Sequence, residues 1–365
     1  MTHDFSLTII KEGTTELIVP ADHASSGPSS ASMPVFYNPK MEFSRDMSVA
    51  VLSHLLPKEA TFLDGMAATG ARGIRVYRES ESGIGLFLND GNPRAVELIE
   101  KNLQMNDITD AVVTQQDLRT LLMEGRYDCV DIDPFGSPAP FFPMAVGAVR
   151  NEGVLCVTAT DTGTISGIFS SACLRKYGSA GKRTPFCHEL GVRNLVGFVA
   201  REAARQDVGI QPIVSYYADH YVRTYVRIKK GAKKADESLR RMGYCAFDQK
   251  TLERKYQEKP DNESIGPIWI GATCDPSFME DVHLPPHLKS ADRITKVFEH
   301  LGNEAMINRP HFSVDEFARR FKIDPPKMDE LIERLQKIGC ASRTHYAPKT
   351  FATDADVGQI AAAMR

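Results

Sequence analysis

The residues best placed to do chemistry are four acids that each follow a short apolar or strand-like run: Asp64, Asp90, Asp117 and Asp133. Asp64 opens the loop Asp64-Gly-Met-Ala-Ala-Thr-Gly-Ala-Arg-Gly73. Its Gly65, Gly70 and Gly73 let the backbone turn tightly and approach a ligand closely. The G-x-G-x-x-G spacing of a dinucleotide site is absent, as is the G-K-[ST] of a phosphate loop. Asp90 stands at the end of a second run, where an acid commonly takes ribose hydroxyls. Asp117 could accept from an adenine amino group. Each acid alone reads equally well as a strand-end cap. Three around one crevice repel a pyrophosphate and suit a ligand with a ribose, an adenine and a positive centre. S-adenosylmethionine fits that description better than NAD.

Asp133-Pro-Phe-Gly136 closes a fourth run. It is composed for work on the exocyclic amine of a nucleobase. Such an amine is a poor nucleophile because its lone pair is delocalised into the ring. The carboxylate of Asp133 can accept one N–H and favour charge developing on nitrogen. The carbonyl of Pro134 can accept the second, and the ring of Phe135 can stack on a base drawn out of its helix. Taken alone, the tetrapeptide could equally be a turn.

These groups need a parallel sheet to hold them. The apolar runs Ala60–Leu63, Ile84–Leu88, Tyr127–Ile132 and Val154–Thr160 each end at an acid or an Asn-Asp pair, with helical stretches between. This pattern predicts an α/β fold with its functional groups at the C-terminal ends of the strands. Asn92 and Pro93 predict a helix start, followed by Val96, Ile99 and Leu103 on one face. Two β-rich runs around Asp219-His220 predict an antiparallel pair on one side of the sheet. Residues 24–34, rich in Ser, Pro and Gly, read as a loop or flexible arm. Towards the C-terminus, Ile294, Val297, Phe298 and Leu301 form a helical stripe. Ser313-x-x-Glu316 reads as a capping box. A third helix is expected from Asp324-Pro325, with Met328, Leu331, Ile332, Leu335 and Ile338 on one face and Gly339 as its stop. The strand-like residues 341–346 follow. A helix-turn-helix with a wing and a plain helical domain both fit this pattern. We expect a domain over 1–232 and a second over 233–365.

Forty-four Lys and Arg against 47 Asp and Glu give a formal charge of −3 over 365 residues, so the chain is not a uniformly basic binder. The charge is unevenly spread. Residues 175–193 carry a net +4 and residues 223–241 a net +6, with Tyr177, Phe186, Tyr221 and Tyr225 within or beside them. Basic segments interleaved with aromatics suit folded RNA, although a solvated charged face is the plain alternative. The uncharged stretch 134–149 holds four prolines, which argues against a membrane span, and no signal peptide is evident. Seven scattered cysteines without a C-x-x-C pair read as reduced thiols of a cytoplasmic protein, with no metal expected.

At these motifs the chain resembles the tRNA guanine-26 N2-dimethyltransferase family in its archaeal-sized form. The matching segments include Pro34-Val-Phe-Tyr-Asn-Pro-Lys-Met41, Ser44-Arg-Asp46, residues 63–75, residues 131–138, Val157-Thr-Ala-Thr-Asp161, Cys173-Leu-Arg-Lys-Tyr177, Cys187-His-Glu-Leu-Gly191, Tyr217-Ala-Asp-His-Tyr221 and Arg343-Thr-His-Tyr346. They run in order through nearly the whole chain. The resemblance implies a class I, Rossmann-like, S-adenosylmethionine-dependent methyltransferase domain. It also implies a smaller C-terminal α+β domain with a winged-helix-like unit that binds tRNA. It implies that Asp133 is the catalytic acid, with Pro134 and Phe135 beside it, and that Phe36 clamps a guanine against Phe135. Arg45, Asp64, Gly70, Arg72, Asp90 and Asp117 would contact the cofactor, with Arg45 on the methionine carboxylate. Arg175, Lys176, Lys182, Arg183, Arg223, Arg227, Arg343 and His345 would hold tRNA. No obligate protein partner is evident. A methyltransferase acting on the amino group of another RNA or DNA base would share Asp133-Pro-Phe-Gly but not the full set of matches. An NAD-dependent dehydrogenase would need the missing fingerprint, and a non-catalytic RNA binder would have no use for the acids.

Overall fold

The structure, a computed structural model, describes residues 5–21, 33–80 and 82–365. Most of the arm expected over residues 24–34 lies outside the described residues. The chain divides into two compact units. One comprises Met1–Val157 with Asp281–Thr295, the other Thr158–Glu280 with Lys296–Arg365. This division does not coincide with the expected boundary at 232/233.

The first unit runs β1 (Leu7–Glu12), β2 (Thr15–Pro20), α1 (Glu42–Leu55), β3 (Thr61–Asp64), α2 (Ala71–Glu79), β4 (Gly85–Asn89), α3 (Pro93–Met105), β5 (Val112–Thr114), α4 (Leu118–Glu124), β6 (Tyr127–Ile132), α5 (Phe142–Ala148) and β7 (Val149–Ala159). Strands β3 to β7 lie parallel in the order β5-β4-β3-β6-β7. The chain winds outward from β3 in one direction and then restarts at β6 in the other. The reversal between β3 and β6 is the switch point at which open α/β sheets bind ligands. Asn92 caps α3 as expected, accepting from the Arg94 N–H at 3.1 Å. The buried face of α3 is Ala95, Leu98, Ile99, Asn102 and Leu103, so Val96 sits only at its margin.

Two polar arrangements lock the N-terminal hairpin to this sheet. Asn102 accepts from the Ile18 N–H at 2.6 Å and donates to the carbonyls of Ile18 (3.0 Å) and Thr69 (2.8 Å). Arg75, fully buried, meets Asp46 at 2.7 Å, Glu79 at 2.9 Å and Glu12 at 3.3 Å. The returning segment 281–295 joins in: His287 reaches Glu79 at 3.1 Å, and the Ser290 N–H donates to Asp46 at 2.9 Å.

The second unit holds α6 (Thr162–Ile165), α7 (Ser170–Tyr177), α8 (Cys187–Ala204), the hairpin β8 (Val208–Ala218) and β9 (Tyr221–Lys230), and α9 (Ala232–Leu239). It continues with β10 (Met242–Phe247), β11 (Arg254–Gln257), β12 (Ile265–Trp269), α10 (Pro276–Asp281), most of α11 (Ala291–Ile307), β13 (Phe312–Ser313), α12 (Val314–Phe321), α13 (Met328–Gln336), β14 (Ala341–Arg343), β15 (Thr350–Thr353) and α14 (Val357–Ala363). The β8–β9 turn falls where expected, with Ala218 opposite Tyr221. Phe312, Phe317, Leu331, Leu335, Phe351 and Ile360 form the core of the C-terminal part. Together with the sheet β13-β15-β14, this core makes α12 and α13 a winged-helix arrangement rather than a plain helical domain.

Two local readings there are corrected. Ser313 precedes α12 but makes no side-chain cap, and Glu316, which would complete the box, turns to the buried guanidinium of Arg254. Helix α13 begins at Met328, not at Pro325: Pro326 disfavours helical backbone at the residue before it. It ends at Gln336 and leaves Ile338 exposed. Among the described residues no helix is long and apolar enough to cross a membrane.

Candidate active site

A cavity of ≈ 710 Å³ opens in the first unit at the ends of β3, β4 and β6. That volume is ordinary for a small-molecule site. Its wall brings together Phe36, Asp90, Asp117, Asp133, Pro134 and Phe135. The second unit has a larger cavity of ≈ 970 Å³, lined by Lys182, Lys255, Asp261 and others of both charges. The smaller cavity sits at the switch point and gathers the acids, so the chemistry belongs to it.

The acids are held in different ways. Asp90 accepts from the N–H groups of Ala68 and Asn92, each at 2.9 Å, tying the loop after β3 to the start of α3. Burial raises its pKa, and the two N–H groups oppose this. Asp117 caps α4 and grips Arg119 at 2.6 Å in the open. Its hydrogen bonds from Arg119 lower its pKa to about 2. Asp64 lies beneath the loop rather than on the cavity wall, and accepts from the Gly73 N–H at 3.1 Å in the first turn of α2. Burial, with the neighbouring Asp131, pushes its carboxyl up to about 7, while Arg72 works against the shift. Gly70 is also behind the wall. It caps α2 with φ of 77°, a conformation that favours glycine.

The centre of the arrangement is Arg72. Its side chain is almost wholly buried and ion-paired to the Asp133 carboxylate. It also donates to Ser48 Oγ at 2.6 Å and the Ser44 carbonyl at 3.3 Å on α1, and lies 3.4 Å from Asp131. Arg72 thus fixes Asp133 from behind instead of lining the cavity. Arg45 does not line it either. Its guanidinium takes Glu12 in two hydrogen bonds of 2.7 and 2.5 Å, and lies 5.1 Å from the centre of the Tyr37 ring. Burial would raise the pKa of Glu12, but Arg45 overcomes this and holds it down at about 2. The Nε and Nη2 of Arg45 are committed to Glu12 and to the Asn38 carbonyl, and Arg45 is not among the residues of the cavity wall.

Phe36 and Phe135 meet edge to face, with centroids 4.6 Å apart and planes at 83°. A base sandwiched between them would need the rings parallel and about 7 Å apart. The expected clamp is therefore closed here, although Phe135 remains 57% exposed.

The sequence missed Met66, Asn89, Gln116, Arg119 and Phe141, all on the cavity wall. Asn89 had a usable signal, since it directly precedes Asp90. It donates to the Gly65 carbonyl at 3.0 Å and accepts from the Gln116 N–H at 3.1 Å, stitching three strand-end loops together.

The expected RNA contacts divide sharply. Arg223 is fully buried and donates to Thr158 Oγ1 at 2.6 Å and Tyr225 OH at 2.8 Å, so it cannot reach a phosphate. His345 is likewise enclosed, with Nδ1 2.9 Å from Glu304 and Nε2 accepting from the Tyr217 N–H at 3.1 Å. Arg193, counted in the first basic segment, is buried on Glu189, which His311 and Tyr256 also hold. Lys176 pairs with Asp161, Lys182 with Glu263 and Arg343 with Asp329, all with partly exposed side chains. Arg227 is half-buried, and Arg175 and Arg183 are exposed.

Residues 13–365 match the family model described as N2,N2-dimethylguanosine tRNA methyltransferase. A tRNA (guanine(26)-N(2))-dimethyltransferase of Pyrobaculum islandicum is 42% identical, covering 97% of this chain and 98% of that protein. One from Thermococcus kodakarensis is 37% identical, covering 98% and 99%. The solved structure of Trm1 from Pyrococcus horikoshii with S-adenosyl-L-methionine superposes with a TM-score of 0.86 at 32% identity, covering 98% of this chain and all of that one.

Proposed function

The chain belongs to the N2,N2-dimethylguanosine tRNA methyltransferase family, and from that we propose how its residues carry the reaction. The enzyme methylates the N2 amino group of guanine 26 in tRNA, once and then again, using S-adenosylmethionine. The cavity residues fit that cofactor: Asp90 is suited to ribose hydroxyls, and Gln116, Asp117 and Leu118 to a purine. S-adenosylmethionine supplies a methyl group already activated on its sulfonium, so the chain's own task is placement.

The pairing of Asp133 with Arg72 carries the reading. Arg72 engages Oδ2 of Asp133, a residue of the cavity wall, and in this reading the other carboxylate oxygen, Oδ1, takes an amine N–H. A carboxylate held this way orients the amine and takes up the charge that nitrogen develops. After the first methylation the amine keeps one N–H, so Asp133 can serve a second round. Pro134 adds a carbonyl acceptor beside it. Phe135 offers an exposed face for the base, and Phe36 joins it by swinging out of its edge-to-face contact. Asp64, Gly70 and Arg45 shape the cofactor loop and α1 from behind.

For tRNA we assign Arg175, Lys182, Arg183 and Arg227, with residues 233–365 gripping the tRNA body. The winged-helix arrangement of α12 and α13 supports that role. A tRNA substrate and scattered free thiols support a cytoplasmic location. The test is incubation with unmodified tRNA and methyl-labelled S-adenosylmethionine, followed by nucleoside analysis. Label should appear in N2-methylguanosine and N2,N2-dimethylguanosine at position 26. Label in N6-methyladenosine, or none in tRNA, would refute the reading.

A further inference from the structure

We propose that Phe169, flanked by Ile168 and the outer face of α7, is a stacking platform for an unpaired nucleotide of the tRNA. The proposal rests on tRNA being the substrate. Phe169 is 61% exposed, Leu174 57% and Ile168 40%. Single exposed apolar residues are common, but three within seven residues form a patch.

The patch is built, not loose. Helix α7 is anchored on its inner side by Cys173 and Tyr177, both fully buried. Tyr177 OH donates to Asp161 at 2.5 Å, and Asn194 donates to Cys173 Sγ at 3.1 Å. Those anchors, four residues apart, turn Ser170, Ser171, Leu174 and Arg175 outward. The Phe169 N–H donates to the Gly163 carbonyl at 3.1 Å, and its own carbonyl accepts from Cys173 at 2.9 Å. Its ring lies against Gly163 so closely that a Cβ there would come within 2.6 Å of ring carbon Cε2. Nearby in the chain, Gly167 and Gly181 pack backbone to backbone, since a Cβ on Gly181 would lie 2.3 Å from the Gly167 Cα. The Cδ2–Cε2 edge of the ring is thus held while the side chain stays mostly in water.

The surroundings choose the partner. Arg175 and Arg183 are exposed, and among the described residues neither is held in an ion pair. An aromatic ring fixed among free guanidinium groups matches a base with its phosphates better than an apolar protein surface.

The test uses the full-length enzyme with its tRNA. Phe169→Ala should raise the Kd for tRNA on the order of ten-fold. The melting temperature and the affinity for S-adenosylmethionine should stay as in wild type. Phe169→Trp should restore binding and Phe169→Leu should not, because stacking needs a ring. Arg175→Ala should lower the salt slope of tRNA binding by about one, and Phe169→Ala should leave that slope unchanged. Unchanged tRNA affinity in Phe169→Ala overturns the proposal, as does rescue by leucine or a dimer that Phe169→Ala disrupts. If wild type itself neither binds nor methylates tRNA, the functional reading has failed and not merely this platform.

Discussion

At the scale of single residues, the decisive contact is one between two side chains expected to do different jobs. Arg72 was expected at the cofactor, and it instead holds Asp133 in place, braced by Ser44 and Ser48. The sequence could not separate these roles, because Arg72 and Asp133 lie 61 positions apart and meet only through the switch between β3 and β6. Arg72→Ala should therefore lower kcat by ten-fold or more while the KM for tRNA changes much less. Arg72→Lys should recover only part, since an ammonium cannot reproduce the guanidinium's several directed donors. Steady-state kinetics on tRNA measures both, and an Arg72→Ala enzyme with normal kcat would remove Arg72 from the account. The same limit explains Arg223, Arg193 and His345. As letters they are basic, and Arg193 and Arg223 sit in basic stretches; burial and partners, which no one-dimensional pattern reports, take all three out of reach of RNA.

At the scale of elements, what was legible is what depends on local spacing. Strand β6 begins and ends at Tyr127 and Ile132, as its run indicates, because Cys129, Val130 and Ile132 are the apolar side chains a strand buried in a parallel sheet needs, although Asp131 is buried among them. The cap at Asn92 and the turn at Asp219-His220 are local too. The capping box at Ser313 failed for a non-local reason, since the buried Arg254 claims Glu316 across 62 positions. The N-terminal hairpin's attachment was also invisible. Part of it rests on Asn102, whose one amide satisfies three backbone groups of β2 and the loop before α2. Asn102→Ala should destabilise the enzyme by about 2–3 kcal/mol, because it strands buried N–H and C=O groups. Urea denaturation would show this as a lower midpoint at unchanged m-value, and an unchanged midpoint would contradict it.

At the scale of the whole molecule, the formal charge of −3 is a difference between parts. Some of the acids gather at the cavity or immediately behind it, and several are neutralised internally by Arg72, Arg75 and Arg45. Two of the cations in the basic segments, Arg193 and Arg223, belong to the interior, and the remainder are at least partly exposed. The chain also returns on itself. Cutting after about residue 285 would seem to isolate a cofactor-binding fragment, but it would strip His287, Lys289 and Ser290 from Glu79, Glu42 and Asp46 in the first unit. Point substitution in the intact enzyme is therefore the sounder probe. The most direct one is Asp133→Ala, assayed for S-adenosylmethionine binding by calorimetry and for methyl transfer to tRNA in a single turnover. Cofactor affinity should stay within about three-fold of wild type and transfer should fall at least on the order of 100-fold. Transfer at the wild-type rate with the cofactor still bound would contradict the assignment of Asp133.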